Sequence, residues 1–112
     1  MKVTLDYSST PVIESIEIHE SDVWDMDITL AKIIHPMLVK FKSLDNGYPS
    51  TLVSDELTDD ESRKQWHDIL DDMIYAFGEY PTHQMRLGND EKDAKVKRGI
   101  DLFAQYYYNL WD

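Results

Sequence analysis

The sequence predicts a mainly α-helical domain, a small three-helix bundle with a short N-terminal β-hairpin. Three observations lead there. Most apolar residues fall into three stretches at helical spacing, Trp24 to Leu44, Trp66 to Phe77 and Gly99 to Trp111. The residues ahead of them alternate apolar and polar with the period of a strand. A length of 112 residues leaves room for one domain, with 1–20 as the hairpin and 25–112 as the bundle.

In Lys2 to Tyr7, Val3, Leu5 and Tyr7 alternate with Lys2, Thr4 and Asp6, which is the pattern of a half-buried strand. Val12 to His19 is rich in β-branched residues, with Ile16 and Ile18 against Glu17 and His19. Ser8-Ser9-Thr10-Pro11 between them is turn chemistry. Two strands alone are marginal, so the hairpin is expected to lie on the helices or pair with another chain.

The first helix starts after Asp25 or Asp27, either of which can cap free backbone N–H groups. Met26, Leu30, Ile33, Met37 and Phe41, with Ile34 and Leu38 beside them, form its expected buried stripe. Pro36 lacks a donor and clashes with the carbonyl four residues earlier, which predicts a kink or break over Lys32 to His35. Asp45-Asn46-Gly47 stops the helix, with Gly47 or Asn46 suited to a left-handed cap. After the loop Tyr48 to Thr58, Thr58 and Glu61 read as a capping box, with acids in the first turn. The second helix turns Trp66, Ile69, Leu70, Met73, Ile74 and Phe77 inward and ends near Gly78. Tyr80-Pro81-Thr82-His83 is a connector. The third helix begins near Asp90 and buries Val96, Ile100, Phe103, Tyr106 or Tyr107, Leu110 and Trp111. Gly99 inside it costs about 1 kcal/mol against Ala, so a neighbouring backbone is expected close by.

Composition excludes several classes. The absence of cysteine removes disulfide frameworks, thiolate zinc sites and cysteine nucleophiles, and fits a reducing compartment. No apolar run approaches the ~18 residues that span a bilayer, and Met1-Lys2-Val3-Thr4 does not open a signal peptide, so no membrane partner is expected. A net charge of −11, from 22 acidic against 11 basic residues, argues against direct nucleic-acid binding. The acids are bunched. Glu14, Glu17, Glu20, Asp22, Asp25 and Asp27 occur with no Lys or Arg among them, and Asp55-Glu56 with Asp59-Asp60-Glu61 forms a second block. Such faces either solubilise the surface or meet a basic partner, and in the sharpest version they imitate DNA. The basic cluster is Lys92, Lys95, Lys97 and Arg98.

Taken in order, Trp24-x-Met26-Asp27-x-Thr29-Leu30-Ala31 with Ile34-His35-Pro36-Met37-Leu38 resembles a small protein family of tailed bacteriophages. So do Trp66-x-x-Ile69-Leu70-Asp71-x-Met73-Ile74-x-Ala76-Phe77 and Gly99-x-x-Leu102-Phe103-x-x-Tyr106-Tyr107-x-x-Leu110-Trp111. The likeness runs from Ile16 onwards. It implies a viral origin and expression in the cytoplasm of a host bacterium, and it implies no mechanism. Many members look longer, with extra charged sequence before the second helix and between the second and third. This chain is compact in both places.

Catalytic signatures are missing. No G-x-S-x-G, Gly-rich phosphate loop or HExxH occurs, and no catalytic residue, metal or cofactor is expected. The nearest approach to a metal set is His67 and Asp71 at i, i+4, with His35, His19, Asp25 and Asp27 as further donors, though Asp27 also suits a helix cap. Asp71 at the edge of the second stripe can instead latch a Trp24 or Trp66 indole. Three consecutive tyrosines span about 200° of a helix, so at least one of them faces away from the core. Candidate binding residues are therefore Trp24, Asp25, Asp27, Asp71, Tyr107, Tyr108 and Trp111. The expectation is a non-enzymatic phage accessory protein acting on a host or phage protein, with self-association into a homo-oligomer open. The alternative is nucleotide binding, with stacked tyrosines and Lys92 to Arg98 on the phosphates. A metal-assisted hydrolase using His67, Asp71 and His35 stands last.

Overall fold

In a computed structural model, which describes residues 1–80 and 90–111, the chain is mainly helical with three helices and a two-stranded hairpin. It divides into two compact units, Met1–Leu30 and Ala31–Asp112.

In the N-terminal unit, β1 (Lys2–Leu5) pairs antiparallel with β2 (Ile13–Glu17). The turn is tied by Asp6, whose carboxylate accepts the Ser8 amide at 2.9 Å and the Ser8 hydroxyl at 2.6 Å, while its amide donates to the Val12 carbonyl at 2.7 Å. These hydrogen bonds hold the Asp6 carboxyl below the usual carboxylate range. The register pairs Val3 with Ile16 and Leu5 with Ile13, with a bulge at Thr4/Leu5. One face of the hairpin is therefore apolar, as the alternation predicts. Val3, Leu5, Ile13 and Ile16 on that face are 44–49% exposed. A short 3-10 turn, Glu20–Val23, follows, and the Asp22 carboxylate accepts the His19 amide at 2.8 Å.

Helix α1 (Met26–Leu44) begins one residue after Asp25, whose carbonyl accepts the Ile28 and Thr29 amides. It runs unbroken through Pro36. Lys32, which loses its amide partner to the proline, is exposed, so water can serve its carbonyl. The expected buried stripe needs correction. Ala31 and Leu38 are buried and Ile34 and Phe41 pack beside them, while Met26, Leu30, Ile33 and Met37 are exposed. Two apolar series, offset by one residue or ~100°, share this helix, and the second is the one that packs.

Helix α2 (Asp59–Glu79) opens on the expected capping box: Thr58 Oγ1 accepts the Glu61 amide at 3.1 Å, and Glu61 Oε1 accepts the Thr58 amide at 3.4 Å. Trp66, Leu70, Met73, Ala76 and Phe77 are buried on one side. Ser62 is buried too, and its hydroxyl donates to the Leu52 carbonyl at 2.9 Å, pinning the preceding loop. Helix α3 (Asp90–Gln105) lies against α2 with Gly99 at the closest point. A methyl at Gly99 would fall 2.3 Å from the Asp72 carbonyl oxygen and 2.4 Å from Ala76 Cβ, so only glycine allows this approach. Tyr106 packs against the core and Tyr107 is exposed. Trp111, expected inside, is exposed, because α3 ends at Gln105 and the chain leaves through a 3-10 turn, Tyr107–Asn109. Pro81, Thr82 and His83 of the expected connector lie outside the described residues. No helix among the described residues is long and apolar enough to cross a membrane.

Candidate functional site: a cleft below the α1 C-terminus

The end of α1 and the start of α2 meet over a cleft of about 310 Å³. Its walls come from Phe41 and Lys42 of α1, the turn Asp45 to Ser50, Trp66, His67 and Leu70 of α2, and Asn109 and Trp111. Aromatic side chains thus line a space that also holds one lysine, one carboxylate and one imidazole.

Asp45 organises the rim. It adopts φ 51°, in the left-handed region, where Asn46 or Gly47 was expected to be the cap; Gly47 follows at φ 131°. Aspartate tolerates this conformation better than most residues, and one oxygen of the carboxylate it presents meets two side chains of α2. Arg63 Nη1 donates to Asp45 Oδ1 at 2.9 Å, and His67 Nε2 lies 2.9 Å from the same oxygen. The Arg63 guanidinium, followed by His67, holds the Asp45 carboxyl below its usual range, and Asp45 in turn raises Arg63. Arg63 also reaches Asp59 at 3.7 Å and sits 5.8 Å from the Tyr48 ring centre. The Tyr48 hydroxyl donates to the Asp59 carboxylate, which pushes the phenol's pKa up. Arg63, Asp45, Asp59 and Tyr48 thus form one network that ties the turn to α2. Sequence reasoning did not assign these roles. The one local signal is the Asp45-Asn46-Gly47 stop with Tyr48 after it.

The candidate binding residues separate. Trp24, Asp25 and Asp27 belong to the N-terminal unit, with Trp24 exposed and Asp25 and Asp27 at the start of α1. Asp71, Tyr107, Tyr108 and Trp111 belong to the helical unit, and of these Trp111 lines the cleft. Asp71 pairs with Lys42, not with an indole. Rings run in edge-on steps from Phe77 to Phe103 (4.9 Å), Tyr107 (5.6 Å) and Tyr108 (6.3 Å). Trp66 meets Tyr106 at 5.4 Å. At the outer end, Tyr107, Tyr108 and Trp111 are 61%, 88% and 74% exposed.

The metal candidates are dispersed as well. His67 is on Asp45, Asp71 on Lys42, and the His35 ring lies against Gly78. Among the described residues no three His, Asp or Glu side chains form a group able to hold a metal ion. The basic cluster on α3 is engaged locally. Lys92 reaches Glu79 at 3.3 Å, Lys97 reaches Asp101 at 2.8 Å, Arg98 reaches Asp72 at 3.3 Å, and Lys95 lies over the Tyr75 ring. None of the four lines the cleft. In comparisons with known proteins, no family model, curated protein or solved structure matches the chain.

Proposed function

We propose that this is a non-enzymatic binding protein that recognises another protein through the cleft and the aromatic segment beside it. In line with the phage resemblance, the partner is a host or phage factor. The observation that carries this reading is the exposure of Tyr107, Tyr108 and Trp111 next to an aromatic-lined cleft. Large rigid aromatics gain much area on burial at little entropic cost, which is why they dominate protein-binding hot spots. The cleft is of a size to accept an anchor side chain from the partner. A net charge of −11 favours a partner with a basic rim.

DNA mimicry needs uncompensated acids in a phosphate-like row. From Asp59 to Asp72 the acids are partly neutralised: Asp59 by Arg63, Asp68 by Lys64, Asp71 by Lys42 and Asp72 by Arg98. That favours the general protein partner over the mimic. A small ligand is the second reading, because about 310 Å³ lies at the lower end of small-molecule sites. Among the described residues Lys42 is the one Lys or Arg in the lining and is already paired with Asp71, so a phosphate would find little free charge there.

The test is an affinity capture from bacterial lysate with the intact protein and with a Tyr108→Ala/Trp111→Ala variant. Both side chains are exposed, so the variant should fold. A partner held by the parent and lost by the variant supports the reading. A partner retained equally overturns the assigned surface, and a thermal shift of the parent with nucleotides would favour the second reading.

A further inference from the structure

The walls of the cleft combine aromatic rings with a local excess of negative charge, and the two together select what enters it. Every lining residue belongs to the helical unit, so the cleft is built within that unit alone. Phe41, Tyr48, Trp66 and Trp111 supply the rings. The negative face of a π-system attracts a cation, and an indole does so best.

The charged groups that line the cleft, taken with their partners, do not balance. Lys42 is engaged by Asp71 at 2.5 Å. Arg63 is shared, since it reaches Asp45 at 2.9 Å and Asp59 at 3.7 Å. Three carboxylates therefore divide two cations, and one negative charge is left over while His67 is neutral. Arg63 and His67 both meet Oδ1 of Asp45, which leaves Oδ2 outside either contact. The Asp45 side chain is 43% exposed, so a further donor can reach it. Asp45 also follows the last residue of α1, Leu44. The carbonyls of a last helical turn carry partial negative charge and favour a cation beside them.

We propose that the cleft takes an arginine side chain from a basic segment of the partner. The guanidinium stacks on the aromatic wall and donates to Asp45 Oδ2. This rests on the reading of the cleft as a protein-recognition site. A guanidinium suits the cleft better than an ammonium, because it is planar, more weakly hydrated and able to stack while its N–H groups donate. A neutral anchor would fill the same space and leave the excess charge unanswered. The net charge of −11 draws a basic segment toward the protein before contact.

The test is a titration of the ¹⁵N-labelled protein with capped Gly-Arg-Gly and with the same tripeptide carrying citrulline, lysine or phenylalanine instead of arginine. The Trp66 and Trp111 indole N–H signals report the cleft, and Trp24, which does not line it, is the reference. The arginine peptide should shift both cleft indoles and bind at least about fivefold tighter than its neutral isostere citrulline, a margin that shrinks with salt. Asp45→Asn should remove most of that margin. Lys42→Gln should tighten arginine binding by about threefold, because it deletes one of the two cations, and damage to the fold would not produce a gain. Citrulline or phenylalanine binding as tightly as arginine overturns the proposal, and so does a preference for lysine. Indoles that no peptide moves also overturn it, whereas the broader reading of a protein-binding surface is judged separately, by the capture with Tyr108→Ala/Trp111→Ala.

Discussion

Replacing Gly99 with alanine sets two effects of known sign against each other. In an open helix the change stabilises by about 1 kcal/mol, because alanine loses less backbone entropy than glycine. Here the new methyl would sit 2.3 Å from the Asp72 carbonyl oxygen and 2.4 Å from Ala76 Cβ, where ordinary contacts begin at 3.4 Å. The deficit is about 1 Å against two groups that cannot rotate away, a backbone carbonyl and a Cβ, so α3 must move off α2. Overpacking of this kind costs typically ~1–3 kcal/mol, and the steric loss should outweigh the propensity gain. The expected net is a loss of about 1–2 kcal/mol, or roughly 4–8 °C in Tm for each kcal/mol in a domain near this size. Urea unfolding followed by tryptophan fluorescence and by circular dichroism, with an unchanged m-value, would measure it. Gly78→Ala is the control, since its methyl would meet the His35 ring at 2.9 Å, a side chain that can swing aside. Ala76→Gly in the Gly99→Ala background should rescue only in part, because the Asp72 carbonyl still stands in the way. A Gly99→Ala protein as stable as the parent, or more so, would refute the close helix contact.

Leu38→Ala and Met37→Ala separate the two series on α1. Leu38 is 4% exposed and its truncation should cost about 2–5 kcal/mol, while Met37 at 66% should cost under about 0.5 kcal/mol in dilute protein. Thr58→Ala should lose about 1 kcal/mol by removing the α2 cap, with Thr58→Ser retaining most of it, both read in the same urea assay. Asp45 makes a pH prediction. Its folded pKa is depressed by Arg63 and then His67, so its stabilisation is complete above the unfolded value of ~3.9 and is lost as pH falls through the folded value. Asp45→Asn, which keeps the left-handed backbone accessible, should therefore be less stable at pH 7 and show a shallower acid limb below about pH 5. Equal slopes in the two proteins would dismiss the Asp45 pair as an acid-sensitive contact.

Local chemistry was readable from the sequence and long-range pairing was not. The Thr58–Glu61 box and the tight approach at Gly99 each depend on neighbours within one turn, or on a residue whose helical cost demands an explanation. The buried side of α1 was misjudged because periodicity reports that a stripe exists, not which of two adjacent apolar stripes is covered. The Arg63–Asp45–His67 cluster joins residues 18 and 22 positions apart, and Lys42–Asp71 spans 29, separations at which no pattern speaks. Trp111 was placed inside because helical spacing was extended past Gln105, where the helix ends. Of the proposed recognition surface, the tyrosine run was visible and the cleft beside it was not.

The charge distribution explains how such open apolar surface can be carried safely. The formal −11 divides unevenly: residues 1–30 hold −6, which leaves −5 for the other 82. In the helical unit most acids of α2 face a lysine or arginine, so they add to local order more than to a long-range field. In the N-terminal unit the acids far outnumber the bases, beside a hairpin whose strand edges and apolar face are open. Open edges invite pairing with any other strand, and charged residues placed along them are the usual defence. Glu14 at the bulge and Glu17 at the end of β2 are placed to oppose edge-to-edge pairing of two hairpins. For that reason the acids of the N-terminal unit should be harder to neutralise without aggregation than those of α2, whose partners already screen them.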